Sequence, residues 1–430
     1  MQKPYLIVLA GGASSRMWPL REKSLIRFGE HPLLIYQLQR YSALGFSDVV
    51  IVGNPENTQI IQDMTSRVTG LQVQVITQPE PKGMGDALLR AGEVLPLAEH
   101  PAVYVTQVHD LTDSALHLEM LDRYRADPSR SYLAGVERED YFPGGYLIVN
   151  ADGRITGIVE KPGAENRPSN LVNIVAHIHS DATRLIDAIK TEYARAATPD
   201  DHYERAMDRL MADHPYHVVR YSGQWTALKF PWHVLDVMNF FLGQIDGQNV
   251  HPSAFVAKTA SLIGNVYIGP DVRIFPGAAV VGPAYVGAGS IVGNNALVRN
   301  SMVLNHVDVG FTTEVARSYV ADNCALHACR VLDSIFAPGV NFSAGCTTAN
   351  LRMDRGPVPT VVKGARVDTG LPKLGAIVGQ NAFLSVDVMT MPGVKVGEGA
   401  QVGPGTHVFH DVPDRTRVYV KQDVQTVSLD

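Results

Sequence analysis

Between Leu9 and Lys23 the chain runs Leu-Ala-Gly-Gly-Ala-Ser-Ser-Arg-Met-Trp-Pro-Leu-Arg-Glu-Lys. Gly11, Gly12 and the serines let backbone N–H groups approach an anion closely, and Arg16 and Lys23 supply positive charge. A bare Gly-Gly pair would be an ordinary strand-to-helix turn, so the whole string carries the anion reading. A second group lies far along the chain, Cys324-x-x-His327-x-Cys329, with Cys346 beyond it. Thiolates and imidazole are zinc-type donors, but no matching second pair accompanies them, and buried cysteines in a tight repeat are the stronger reading.

The elements that must position these groups follow two different periods. Up to about residue 245, apolar strands alternate with helical stretches. Tyr5–Ala10 is a short apolar strand ending at Gly11, a helix is expected over Pro32–Leu44, and Val49–Val52, Val73–Ile76 and Ala102–Thr106 are further strands, with Gly85–Leu97 helical. Such alternation predicts an α/β domain with a mostly parallel sheet, whose ligands bind beyond the carboxyl ends of the strands. From about residue 250, aliphatic side chains recur every six residues, at Val256, Leu262, Ile268, Ile274, Val280, Val286, Val292, Val298 and Leu304. A second register runs through Val320, Leu326 and Leu332. A third runs through Val378, Leu384, Val396, Val402 and Val408, with Thr390 its polar member. A period of six fits short strands joined by tight turns in a parallel β-helix. Leu351–Pro372 interrupts the repeat and is expected to project from the coil wall. Turn-formers near Gly243–Pro252 mark a linker, giving domains at 1–245 and 250–430.

The 430 residues suit two to three domains, and 45% hydrophobic with 19% charged residues suits a globular protein. With 37 basic and 43 acidic residues, net −6, no broad electrostatic attraction to nucleic acid or anionic membrane is expected. Three clustered cysteines point to a reducing compartment, and the short apolar run at the N-terminus is not a signal-peptide core, so a soluble cytoplasmic protein is expected.

The Leu9–Lys23 string resembles the signature of sugar-1-phosphate nucleotidylyltransferases, in which a strand leads into a Gly-rich loop, an arginine and a lysine. Ala13-Ser14-Ser15 departs from the commoner Gly-x-Gly-Thr. The resemblance implies that Ala10, Gly11 and Gly12 hold a nucleoside triphosphate and that Arg16 and Lys23 stabilise its phosphates. Gln78, Gly83 and Gly85 resemble the family's base-reading segment for uracil or thymine. Asp110 resembles its metal-binding aspartate, implying Mg²⁺, and Gly135, Glu160, Lys161 and Asn173 resemble its sugar contacts. In the family's late W-x-D-x-G-x-P-W segment this chain has Trp225-Thr-Ala227-Leu-Lys229-Phe-Pro-Trp232, so Ala227 stands where a second metal ligand is usual. Either Lys229 supplies the missing positive charge, or the site is impaired.

The stretch from His327 to Arg352 is similar to the acetyltransferase half of bifunctional enzymes that make UDP-N-acetylglucosamine, archaeal relatives included. That resemblance implies a left-handed coil, acetyl-CoA as co-substrate, and a homotrimer, or paired trimers, with acyl sites between neighbours. His327 would take the proton of an attacking amine, since a neutral imidazole is a suitable base near pH 7. Arg330, Asn341, Asn350 and Lys363 would contact the acceptor, with Asp333 keeping the family spacing. Arg330 replaces the family's tyrosine, and Leu332 the following glycine.

The expectation is therefore transfer of a nucleotidyl group from UTP or dTTP to a sugar 1-phosphate, joined to N-acetylation of an amino-sugar 1-phosphate. Two rivals stay open: a monofunctional UDP- or dTDP-sugar pyrophosphorylase with a structural coil, and a non-catalytic sugar-nucleotide sensor or scaffold.

Overall fold

The computed structural model describes residues 3–97, 99, 101–195 and 201–429. They form two compact units, the first running to Ala13 and resuming over Pro32–Ala227, the second combining Ser14–His31 with the chain from Leu228 onward.

The first unit is built around Tyr5–Leu9, whose Leu6, Ile7 and Val8 are almost completely buried. Asp48–Gly53 and Val103–Gln107 flank this strand, both parallel to it, and Gln72–Thr77 continues the sheet. A strand apolar at nearly every position needs cover on both faces, which helices such as Leu33–Ala43 and Gly83–Gly92 provide. Leu33, Leu34, Leu38 and Tyr41 put the inner face of the first of these helices into the core. Gly83–Gly92 ends five residues before the expected helix does, and begins two before it.

The sheet is less parallel than its apolar strands suggest. Leu171–His179 runs antiparallel to Val103–Gln107, Ser131–Glu137 and Gly145–Val149, and the last of these is antiparallel to Ile155–Glu160. Tyr216–Tyr221 restores a parallel pairing in this half, against Ser131–Glu137. For Gly145–Val149 and Ile155–Glu160, local turn chemistry is the reason. Asn150 accepts the backbone N–H groups of Asp152 and Arg154, and Gly153 takes φ +78°, so the chain reverses within a few residues. A turn that short joins antiparallel strands, because a parallel partner needs a long crossover.

In the second unit short strands stack into three parallel sheets of eight, nine and eight strands. This is the left-handed parallel β-helix of hexapeptide repeats. Valine stacks on valine through Val280, Val298, Val315 and Val331, and a continuous aliphatic column fills the coil. The register is tighter than a strict six. Val286 pairs with Val303, not Leu304, and Val315 with Val331, not Leu332. The corners explain the lost residue: Asn300, Arg317, Ala328 and Asp333 adopt left-handed φ of 45–50°, closing a turn with one residue fewer. Ser301, Ser318 and Ser334 line one corner, each hydroxyl accepting the backbone N–H of the next turn or bonding its neighbours. These three buried hydroxyls thus stay paired.

The interruption after Leu351 contains an antiparallel hairpin, Pro359–Val362 with Ala365–Asp368, turned by Lys363 and Gly364 at positive φ. Among the described residues no helix is long and apolar enough to cross a membrane.

Candidate active site

The strand Tyr5–Leu9 delivers Ala10 and Gly11 to the carboxyl edge of the parallel strands. The Ala10 N–H donates to the Val52 carbonyl at 2.8 Å, and buried Asn57 donates its amide to the Ala10 carbonyl at 3.0 Å. Gly11 is required by crowding. A Cβ there would stand 2.9 Å from the Gly53 carbonyl oxygen and 3.1 Å from Gln78 Oε1. The backbone at this strand end is thereby held rigid and bare.

Gln78 is 4% exposed and its amide is fully oriented. Nε2 donates to the Gly83 carbonyl at 3.0 Å and to Asp86 Oδ2 at 2.9 Å. Two acceptors on one side fix the NH₂ there and turn the carbonyl oxygen Oε1 toward Gly11 as an acceptor. Gly83 opens the following helix with φ +87°. Gly85 lies against the Tyr193 ring, where a Cβ would come within 3.0 Å, so its smallness serves helix packing. Asn57 and Asp86 escape a motif search because each acts through a backbone or amide partner.

A second cluster comes from the antiparallel half. Asn173 pairs in register with Gly135, and a Cβ on Gly145 would lie 3.2 Å from Glu160 Oε2 and 3.5 Å from the Asn173 Cβ. Glu160 and Lys161 form an ion pair at 3.2 Å. The four residues Gly135, Glu160, Lys161 and Asn173 therefore share one patch of sheet. Asn173 is backed by a buried chain: His177 Nε2 meets its Oδ1 at 3.0 Å, His177 Nδ1 meets the Tyr203 hydroxyl at 2.7 Å, and that hydroxyl meets His179 Nε2 at 2.8 Å. Burial holds the His177 imidazole neutral, its pKa pushed down to about 3. The sequence signalled Asn173 but not this backing.

Asp110 starts the short strand Asp110–Thr112, which pairs antiparallel with Trp225–Ala227. Ala227 is its direct partner. Gln37 holds the backbone here, donating to the Val108 and Asp110 carbonyls at 3.0 Å each.

Arg16, Lys23 and Lys229 belong to the second unit. The Lys23 N–H donates to Ser14 Oγ at 3.3 Å, closing the loop between the two cations. The Arg16 guanidinium lies 5.3 Å from the centre of the Phe230 ring, which stacks on Trp232 at 4.5 Å. The Lys229 N–H donates to His233 Nδ1 at 3.2 Å.

On the coil the acetyltransferase-type residues occupy two corners. His327 is exposed just beyond the Ala325–Leu326 strand, whose Ala325 pairs with Asn341, and Arg330 opens the next face opposite Glu314 and Thr347. Asn350 sits at the other corner, donating to Asp333, which Arg317 also grips through two 2.7 Å bonds. Lys363 is at the exposed tip of the hairpin. All three cysteines are free and buried; burial raises the thiols of Cys324 and Cys329 to about 12 and of Cys346 to about 11. Among the described residues no group of three or more His, Cys, Asp or Glu side chains could hold a metal ion.

A glycine-edged strand end with an oriented glutamine, in a chain that also builds a coil of hexapeptide turns, defines a nucleotide-using transferase. The nucleotidyl transferase family matches residues 5–226, and the chain belongs to it; the hexapeptide repeats of bacterial transferases match residues 250–300. A bifunctional sugar-1-phosphate nucleotidylyltransferase/acetyltransferase from Sulfurisphaera tokodaii is 28% identical over 416 residues, covering 94% of this chain and 97% of its own. The bifunctional protein GlmU of Methanococcus maripaludis is 28% identical over 428 residues, covering 97% and 98%. An Escherichia coli protein, the putative uncharacterized acetyltransferase YaiX, is 33% identical over 155 residues, 36% of this chain and 67% of its own.

Proposed function

We propose that the protein joins a uridylyl or thymidylyl group to a sugar 1-phosphate and N-acetylates an amino-sugar 1-phosphate, so that UDP-N-acetylglucosamine is its product. Residues 1–245 carry the first reaction and 250–430 the second. The observation that carries the reading is the orientation of Gln78. With both N–H groups bound to Gly83 and Asp86, its oxygen accepts, and uracil and thymine present an imide N–H where cytosine presents an acceptor.

In the first reaction an oxygen of the sugar phosphate attacks the α-phosphorus, the bond from that phosphorus to the bridging α–β oxygen breaks, and pyrophosphate leaves. The protein's part is in-line positioning and charge stabilisation. Ala10, Gly11 and Gly12 cradle the phosphates, Arg16 and Lys23 neutralise them, Gln78, Gly83 and Gly85 take the base, and Gly135, Glu160, Lys161 and Asn173 take the sugar. A single carboxylate suits Mg²⁺ held mainly by substrate phosphates, with Asp110 its protein ligand, where the ion would lower the charge on the transferred group. In the second reaction the amine nitrogen attacks the acetyl-CoA thioester carbonyl, the C–S bond breaks, and His327 accepts the amine's proton. Arg330, Asn341, Asn350 and Lys363 hold the acceptor. Their split between two corners of one coil supports a homotrimer in which neighbouring coils complete each site. The three buried reduced thiols support a cytoplasmic location.

The test is pyrophosphate release by the purified chain with Mg²⁺, pairing UTP and dTTP with glucose 1-phosphate, N-acetylglucosamine 1-phosphate and glucosamine 1-phosphate, beside a thiol-release assay with acetyl-CoA. Turnover reduced to a small, still measurable residue in Lys23→Ala, and separate thiol release lost in His327→Ala, are the expected results. Nucleotide binding without turnover in either assay would overturn the reading in favour of a sensor.

A further inference from the structure

The segment Ser14–His31, which carries Arg16 and Lys23, is built onto the β-helix. Trp18 is its central anchor. The indole N–H donates to Asp414 Oδ1 at 2.9 Å, and the ring receives the Lys395 ammonium 4.7 Å from its centre. Both coil partners are themselves fixed. Asp414 Oδ1 also accepts the Glu398 N–H at 2.8 Å. Lys395 is only 3% exposed, donates to the Val361 carbonyl and lies 3.4 Å from Asp411 Oδ2. A buried ammonium needs such compensation, and an aromatic face supplies part of it. Three residues on, Arg21 pairs with Glu398 at 2.5 Å. The far end of the segment is tied down as well: the Tyr319 hydroxyl donates to the Arg27 carbonyl at 2.7 Å, and Phe28 stacks on Phe241 at 5.3 Å.

Nothing in the chemistry of nucleotidyl transfer calls for a lysine buried in the coil beneath a tryptophan two residues from Arg16. We propose that Trp18, gripped by Asp414 and Lys395, is a positioning residue for nucleotidyl transfer, acting through Arg16 and Lys23, and that the coil is therefore a working part of the transferase. This rests on the roles given to Arg16 and Lys23 above. Stabilising charge in a transferring phosphoryl group is sensitive to displacement, and about 1 Å of drift costs on the order of a hundredfold in rate. The grip should thus be felt in kcat more than in substrate KM.

The experiment uses the full chain with Mg²⁺, UTP and the sugar 1-phosphate that turns over. Trp18→Ala is expected to lower kcat by about tenfold to a hundredfold and to leave each KM within about threefold. Trp18→Phe, which keeps a ring over Lys395, should fall between it and the native enzyme. Thiol release from acetyl-CoA by the same Trp18→Ala sample should be unchanged, which separates the effect from loss of folded protein. The decisive readout is the double variant: Trp18→Ala in a Lys23→Ala background should cost far less than in the native chain, because residues acting as one unit are not additive. Native kcat in Trp18→Ala, or a full additive loss in the double variant, would overturn the proposal. Should Trp18→Ala fail to fold, Asp414→Ala takes its place in both the single and the double variant, with the same losses expected and the same outcomes overturning the proposal. Native activity in both Arg16→Ala and Lys23→Ala would instead refute the role of the loop itself, a result distinct from failure of the anchor.

Discussion

Ala227 faces Asp110 directly across an antiparallel strand pair. Side chains of such partners stand about 5 Å apart. A carboxylate at position 227 would therefore share a metal with Asp110, and the methyl group that stands there leaves Asp110 as the lone carboxylate of the pair. Ala227→Asp is expected to tighten divalent-ion binding in the presence of nucleotide by about tenfold, since affinity follows the number of charged ligands. Mn²⁺ titration followed by electron paramagnetic resonance measures this without turnover. Unchanged affinity would mean that position 227 does not face the ion.

On the proposed reading, base selection depends on which way the Gln78 amide points, and Asp86 and the Gly83 carbonyl together hold that direction. Asp86→Ala removes one of the two acceptors that hold the NH₂ group. We expect kcat/KM with UTP to fall about tenfold, the worth of one well-placed hydrogen bond, and the rate with CTP, expected to be poor, to change little. A competition assay with both nucleotides reads the ratio. Equal losses with the two would detach Gln78 from base recognition.

Three buried histidines, His177 and His179 behind Asn173 and His117 against Tyr104, are expected to make the protein acid-sensitive. Burial lowers the pKa of His177 to about 3, and burial together with neighbouring charge lowers His117 and His179. Unfolded, all three take up protons near pH 6.5. Between there and the folded pKa the unfolded state binds more protons, so stability rises with pH and is lost on acidification. Each contributes about 1.4 kcal/mol per pH unit across its window. Denaturant unfolding at a series of pH values should show His177→Gln shallower by about one proton than the native chain. An unaltered slope would show that His177 is protonated in the folded state.

The thiols should be inert. Cys324 Sγ lies 3.3 Å from the Ala337 carbonyl and Cys346 Sγ 2.8 Å from that of Ser385, and burial keeps them as thiols, not thiolates. Iodoacetamide at pH 8 should label none of the three in the native protein and all three in denaturant. Rapid native labelling would contradict the burial and reopen metal binding at Cys324 and Cys329.

The sequence alone determined a good deal here. An unbroken apolar run, Tyr5–Ala10, has to be a strand covered on both faces, and a six-residue aliphatic period has to coil, because each follows from local periodicity and the need to bury its apolar side. The Gly-rich string and its two cations stand out for the same reason: residue types suited to phosphate chemistry lie close together in the chain. The tertiary structure decided what depends on contacts between distant residues. Leu304 gives way to Val303 because Asn300 turns left-handed and removes a residue from the corner. The orientation of Gln78 needs Asp86, and that of Asn173 needs His177 and Tyr203. Most of all, Trp18 lies 396 residues from its hydrogen-bond partner Asp414. No spacing rule spans that distance, since only the stacking of the whole coil brings Lys395 and Asp414 to the loop they hold.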